Sequence, residues 1–444
     1  MSYAAAFLGT IPVVFKSGAN LTPDPNWTRP ADWITLPTLG ATEQKMVAIM
    51  GVENSDANFV SLSVTVSGGG TYSVDWGDGT ISSGIASGTK TDYKYDWSNV
   101  SLGAAKADGF KQALVTVTVS GGDMTGINLQ QRHATLPAIN EYVTNWLDIS
   151  INGPSITSLT VGGSTMSLNY LRKFTLGVVA VTSFASLFQN CRRLVQLSQL
   201  GSSAIITNMS TMFSSCTSIQ TIPPFPGSVA AVTSMSSMFS SCTSIQTIPP
   251  FPGSVAAVTS MSNMFLNCNS LQTIPPFPGS VAAVTNMSSM FLNCNSLQTI
   301  PPFPGSVAAV TNMSGMFQSC NSLQTIPPFP GSVAAVTNMS NMFSGCVSLQ
   351  TIPSFETSGV SSVANASNMF TSCRNLSKGR TNGLQYAVNY NGCKLSSSEI
   401  NEIFTGLGTA AGATTADKTI TISQNYGFAG CDQTIATAKG WTVA

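Results

Sequence analysis

Charge is what this sequence has least of. Only 8% of its 444 residues are Asp, Glu, Lys or Arg, and 18 basic side chains cancel 18 acidic ones. An ordinary globular domain carries about 25% charged residues. The chain has one histidine, His133, and between Arg193 and Glu356 it has no Asp, Glu, Lys, Arg or His at all. General acid–base catalysis, binding of hard metal ions and ion-pair recognition all need such groups, so that stretch can perform none of them. No cluster of Lys and Arg stands ready to displace counterions from a phosphate backbone, which excludes nucleic acid as a partner and weighs equally against anionic membranes.

Long apolar runs are also missing. No segment approaches the roughly 20 residues that cross a bilayer, so membrane insertion is not expected. The first apolar stretch, Ala4 to Phe15, contains Pro12 and has no basic residue before it, which makes a poor signal peptide. No anchoring tail is visible either. Low charge does not imply disorder here, because apolar residues make up 43% of the chain and recur at fixed positions.

That recurrence is the dominant feature. Cys216, Cys242, Cys268, Cys294, Cys320 and Cys346 follow one another at 26-residue intervals, and Cys191 and Cys373 extend the series with one-residue slips. The unit from Val284 to Ala309 reads VTNMSSMFLNCNSLQTIPPFPGSVAA. Met287, Met290, Phe291 and Cys294 fall at i, i+3, i+4 and i+7, which predicts two helical turns with one apolar face. Thr285, Asn286 or Ser288 would cap that helix. Leu297 to Ile300 reads as a short extended segment stopped by Pro301 and Pro302, and Gly305 lets the chain turn back. Each unit has an apolar face that only its neighbours can cover, so the units should stack into a solenoid.

One cysteine per coil, with no carboxylate or histidine beside it, does not make a zinc site. The expectation is a ladder of buried free thiols, with a disulfide between neighbouring coils as the alternative. The methionines read as core filler, and the Asn-Met-Ser triplets at Asn208, Asn286, Asn312 and Asn338 as by-products of the repeat. The outer surface is left to Ser, Thr, Asn, Gln and backbone. Such a surface suits uncharged sugars or other protein subunits, with little dependence on salt.

The run V-T-N-M-S-x-M-F-x-x-C-x-S-L-Q-T-I resembles the BspA-like leucine-rich repeat of bacterial surface proteins and phage structural proteins, over about Phe184 to Cys373. The resemblance implies a leucine-rich-repeat solenoid, an adhesive or scaffolding role and no catalytic residues. The I-P-P-F-P-G-S loop departs from the acidic N-F-D-T-S stretch of many members, so no ligand is carried over.

Upstream, Phe59 to Val66 and Tyr72 to Trp76 alternate apolar and polar residues around Gly68 to Gly70, which predicts a β-hairpin. Ala113 to Val119 supplies another strand. The turn Asp75-Trp76-Gly77-Asp78-Gly79-Thr80 resembles that of the PKD-type β-sandwich, a spacer and binding module. Asp75 and Asp78 are expected to cap the turn's own N–H groups rather than bind calcium. Trp146 to Ile151, Ile156 to Val161 and Leu171 to Leu176 read as irregular first coils. Downstream, Ser397 to Leu407 reads as a helix, Thr419 to Ser423 as a strand, Asp432 to Lys439 as a helix and Trp441 to Val443 as a last strand.

The first forty residues differ in kind. Thr22 to Pro37 is rich in proline and tryptophan, which suggests an extended segment with aromatic anchors, docked either on a partner or on its own β-domain. Trp27, Arg29, Asp32 and Trp33 are the candidate docking residues. The W-T-R-P-A-D-W string also resembles the start of virion proteins that combine a W-G-D-G-T module with BspA-like repeats. An enzyme is not expected, because His133 has no nucleophile or metal motif beside it. A glycosidase would need two carboxylates from among Asp75, Asp78, Asp92, Asp96 and Glu141.

These observations predict an α+β chain: an extended docking segment (1–40), a PKD/Ig-like β-sandwich (41–125), irregular capping coils (126–183), a leucine-rich-repeat solenoid of 26-residue units (184–393) and a C-terminal cap (394–444). The expected role is that of a phage virion surface protein, a decoration protein or fibre, assembled in the host cytoplasm. It would bind other virion proteins through its N-terminal region and a host glycan or protein through the solenoid, with no cofactor, no metal and no catalytic site. Removing residues 1–40 should release it from particles yet leave it folded. A cellular adhesin of the BspA type is the alternative.

Overall fold

The computed structural model describes residues 27–55, 58–135, 142–163, 166–352, 362–410 and 416–444. The expectations for Ala4 to Phe15 and for Glu141 therefore lie outside the described residues.

Seven strands build the N-terminal body: β1 (Lys45–Val52), β2 (Phe59–Val66), β3 (Thr71–Asp75), β4 (Ile81–Ala86), β5 (Lys90–Lys94), β6 (Lys111–Ser120) and β7 (Met124–Asn128). Their alternation puts Val60, Leu62, Val64 and Val66 of β2, and Ala113, Val115 and Val117 of β6, into one buried core. The expected hairpin does not form. β2 pairs with β5 and β7, whereas β3 pairs with β4 and β6 in the other sheet. Gly68 and Gly69, both at positive φ, carry the chain across the core instead. The two alternating runs thus meet face to face through their apolar sides, a contact that alternation alone cannot distinguish from edge-to-edge pairing.

Further strands follow: β8 (Tyr142–Val143), β9 (Trp146–Asn152), β10 (Ser158–Thr160), β11 (Met166–Ser167), β12 (Lys173–Leu176) and β13 (Gln196–Leu200). One seven-stranded sheet runs in the order β13-β12-β9-β1-β6-β3-β4, and a four-stranded sheet in the order β10-β7-β2-β5. β9 joins β1 antiparallel, while β12 and β13 add to β9 in parallel. β10 adds to β7 in parallel. The first coils of the solenoid are therefore extra strands on both sheets of the body, and the seven-stranded sheet crosses the expected limits at 125/126 and 183/184.

Within the repeats the expected helix is absent, and the reason is local. Ser289 and Asn293 take φ of 52° and 62°, and equivalent residues of other coils do likewise, a left-handed conformation that cannot continue a right-handed helix. Two tight turns replace it. The N–H groups of Met290, Leu292 and Cys294 donate to the carbonyls of Met287, Ser289 and Phe291 at 3.4, 3.2 and 3.0 Å. Those of Met287, Ser289, Phe291 and Asn293 reach the next coil, donating to Asn312, Ser314, Met316 and Gln318 at 2.8–3.0 Å. The backbone is thereby satisfied between coils. Both geometries place Met287, Met290, Phe291 and Cys294 inside, where all four are buried. Phe239, Phe265, Phe291 and Phe317 stack with ring centroids 5.5–5.6 Å apart.

At the far end come β14 (Val388–Asn389), α1 (Ser397–Gly406), β15 (Thr419–Thr421), α2 (Thr434–Thr437) and β16 (Thr442–Val443). The Ser396 hydroxyl caps α1 by accepting from Glu399 N–H at 3.2 Å. Among the described residues α-helix is confined to this cap, so the chain is β-rich rather than α+β.

Candidate binding surfaces

All four candidate docking residues meet their own chain. Trp33 is buried with Ile49, Leu147 and Tyr170, and its indole N–H donates to Asp108 at 2.9 Å. Trp27 is half-buried, 5.5 Å from the Trp33 ring, and the Arg172 guanidinium lies 5.7 Å from its centroid. Arg29 pairs through Nε with Asp148 at 3.2 Å and also donates to the carbonyl of Ile34. Asp32 accepts from Ala107 N–H at 2.9 Å. Of the two readings open for this segment, residues 27–39 take the second. They lie over the outer face of β1 and β9, which explains why β1 is apolar on both sides (Met46 and Ala48 inward, Ile49 outward).

Residues 35–39, β9 and β12 enclose a cleft of about 400 Å³ lined by Arg29, Asp148, Asn152, Lys173 and Gln199. Asp148 was not singled out from the sequence. A lone acid in the apolar run Trp-Leu-Asp-Ile-Ser-Ile is the signal that could have marked it. Burial pushes its carboxyl above the usual range, even against the opposing pull of Lys173 and Arg29.

The other carboxylates are tied up locally. Asp75 accepts from Gly77 N–H at 2.9 Å, and Asp78 accepts from Thr80 N–H at 3.1 Å and from the Tyr93 hydroxyl at 2.6 Å. Gly77 is obligatory in this turn: φ is +76°, and a Cβ would lie 2.5 Å from Leu114 backbone. Asp92 pairs with Lys90 at 3.0 Å and Asp96 accepts from Ser98. His133 packs on Phe59, and its Nδ1 lies 2.7 Å from the Thr135 hydroxyl. Among the described residues no three His, Cys, Asp or Glu groups gather as metal ligands.

The solenoid exposes columns of like side chains, and the columns differ in how far they are already hydrogen-bonded. The hydroxyls of Thr233, Thr259, Thr285, Thr311 and Thr337 each donate to the Thr carbonyl one coil back, at 3.1–3.3 Å. Asn286, Asn312 and Asn338 accept from the N–H two residues on. Asn293 donates to Asn267, and Asn321 to Asn295. The Gln column is different. Gln272, Gln298 and Gln324 are exposed beside exposed Thr273, Thr299 and Thr325, and none of these six side chains hydrogen-bonds to another described residue. Only at the end of the column does Gln246 reach Gln220, at 3.4 Å. No helix among the described residues is long and apolar enough to cross a membrane.

A family model described as "Mycoplasma protein of unknown function, DUF285", a BspA-like repeat family, matches residues 174–276 and 259–383, together just under half of the chain. No curated protein matches. Similar solved structures include a leucine-rich-repeat protein of Leptospira interrogans, at 12% identity and a TM-score of 0.22 over 61% of this chain and 73% of that one. TLR13, in a complex with ssRNA13, matches at 11% identity and 0.20 over 63% and 47%. The mouse RP105/MD-1 complex matches at 11% and 0.22 over 68% and 50%. The chain thus spans about half the length of the latter two.

Proposed function

We propose that the chain is a structural surface protein of a phage virion, a decoration protein or fibre. In this reading a PKD-like β-sandwich carries a BspA-like solenoid of 26-residue units outward, to contact the host surface or neighbouring subunits. The observation that carries the proposal is the unbroken sheet from β4 to β13, which makes body and solenoid one piece without a linker between them. A rigid projection needs that continuity, whereas a catalytic domain does not. The W-T-R-P-A-D-W start, the W-G-D-G-T turn and the repeats support the virion reading through their joint resemblance to such proteins. The role is non-enzymatic and needs no cofactor. Attachment to other virion proteins falls to residues 1–26, because residues 27–39 pack on their own body. Assembly in the host cytoplasm would keep the ten thiols reduced.

Immunogold labelling of purified particles tests this. Gold at regular positions on the particle surface is the expected result, and particles free of label would overturn it. The description of the matching family model, a Mycoplasma protein, favours a second reading as a bacterial surface adhesin. Fractionation that finds the protein on intact cells carrying no prophage would establish that reading instead.

A further inference from the structure

We infer that the Gln–Thr face of the solenoid is a binding site for a linear, uncharged polysaccharide lying along the solenoid axis with one sugar to each coil. The inference deepens the adhesive role proposed above and rests on it. The first observation is the contrast between columns. The Thr259–Thr285–Thr311 hydroxyls and the Asn267–Asn293 amides already bond within the chain, while Gln272, Gln298 and Gln324 keep both donor and acceptor available. A primary amide offers an N–H and a carbonyl side by side, which matches a pair of neighbouring sugar hydroxyls. The adjacent Thr methyl can lie against the C–H face of the ring.

Charge and spacing narrow the partner further. No charged residue occurs between Arg193 and Glu356, so an anionic or cationic polymer would find no counter-charge while a neutral one loses nothing. Backbone bonds join several neighbouring coils through this column, Gln298 N–H to Gln272 carbonyl at 3.4 Å, Gln272 N–H to Gln246 carbonyl at 3.3 Å and Gln350 N–H to Gln324 carbonyl at 3.3 Å, with none between Gln324 and Gln298. The repeat along the face is therefore that of hydrogen-bonded strands, about 4.8 Å. A peptide strand laid along the axis rises about 3.3 Å per residue and shows the same side only every second residue, so it drifts out of step with the coils. An extended chain of β-1,4-linked pyranoses advances by close to one coil spacing per sugar; its rings turn from one to the next, but each carries hydroxyls on both edges, so every coil still meets a hydroxyl that its Gln amide can bond. Each contact is an exposed, neutral hydrogen bond and weak alone. Useful affinity then requires several coils acting in series.

The full chain should be run through native gels containing soluble β-1,4-linked glucan, mannan or xylan. At least one polymer should retard it, and short oligomers of that polymer should bind more tightly with each sugar added from two to six. The triple variant Gln272→Ala, Gln298→Ala, Gln324→Ala should keep its melting temperature, since the side chains are exposed, and lose at least tenfold in affinity. No retardation by any of the three polymers, or equal retardation of the variant, would overturn the inference. So would a wild-type dimer that the variant fails to form, because the face would then serve a second copy of the chain. Particle labelling is independent of these gels, so the virion reading and the polysaccharide site can fail separately.

Discussion

At the scale of the residue, the cysteine ladder explains why each coil uses a thiol rather than a hydroxyl or a methyl. The Phe265 carbonyl accepts from Cys268 N–H at 3.0 Å and from the Cys294 thiol of the next coil at 3.1 Å, using both lone pairs. Equivalent thiol contacts run from Cys216 to Cys393. The slot needs a small apolar group with one weak donor, and a thiol is that group. All ten cysteines are free, and every one except Cys431 is buried. Burial pushes the thiols from Cys191 to Cys346 well above their ordinary value near 9. A thiol that keeps its proton in the folded chain but loses it when unfolded contributes nothing against stability below about pH 9. Above that pH it costs about 1.4 kcal/mol per pH unit. Seven such thiols predict a steep fall in melting temperature between about pH 9 and 11, softened when Cys268, Cys294 and Cys320 are replaced by alanine. At pH 8 a thiol reagent should modify Cys431 promptly and the ladder only after denaturation. Rapid reaction of several thiols in the native state would contradict the ladder.

At the scale of the element, the repeat shows what a sequence discloses and what it hides. The apolar positions of each unit were legible, because Met287, Met290, Phe291 and Cys294 must be inside in any compact arrangement. The backbone joining them was not, since a helix and two left-handed turns share that spacing. One signal did discriminate. Both left-handed positions admit Asn and Gly: the first is Thr211, Ser237, Asn263, Ser289, Gly315 and Asn341, and the second includes Asn293 and Gly345. Asn and Gly recur where φ is positive, and a helix would have no use for them there. The hairpin failed for a related reason, since alternation marks a strand and its buried side but not its neighbour. The half-buried ion pair Arg29–Asp148 was half legible: Arg29 stood out in the Pro/Trp-rich segment, whereas its partner lies 119 residues away. Gly315→Ala separates the two backbone models by sign. In a helix interior it would stabilise by about 1 kcal/mol. At φ of +59° it should destabilise by about 1–2 kcal/mol, read as a lower urea midpoint with an unchanged slope.

At the scale of the whole molecule, coils bond only to their immediate neighbours, while the two ends are built differently from the middle. Deleting Val284–Ala309 joins Ala283 to Val310, the equivalent of Val284, so the ladder from Thr259 passes to Thr311 without a change of register. That variant should remain folded with a monomeric scattering profile shortened by one coil, while deletion of half a unit should aggregate or melt far lower. Equal folding of both would reject nearest-neighbour stacking. The N-terminal end obeys another rule, because residues 27–39 form part of the body. Removing residues 1–26 leaves Trp33, Arg29 and the contacts between them and the body in place, and the shortened protein should be absent from particles if attachment lies there. Removing residues 1–40 strips Trp33 from Ile49, Leu147 and Tyr170, a loss of about 3 kcal/mol or more, and leaves the buried Asp148 without Arg29. The expectation that the longer truncation stays intact is thus replaced by that of a destabilised protein. Its deficit should also depend on pH. A carboxyl held above its ordinary value in the folded chain is a burden while ionised, and without Arg29 it is held higher still. Acidification protonates it and should recover part of the loss. Chemical denaturation of both truncations at neutral and mildly acid pH would check this, and a 1–40 truncation as stable as the full chain would show that the aromatic segment is dispensable to the fold.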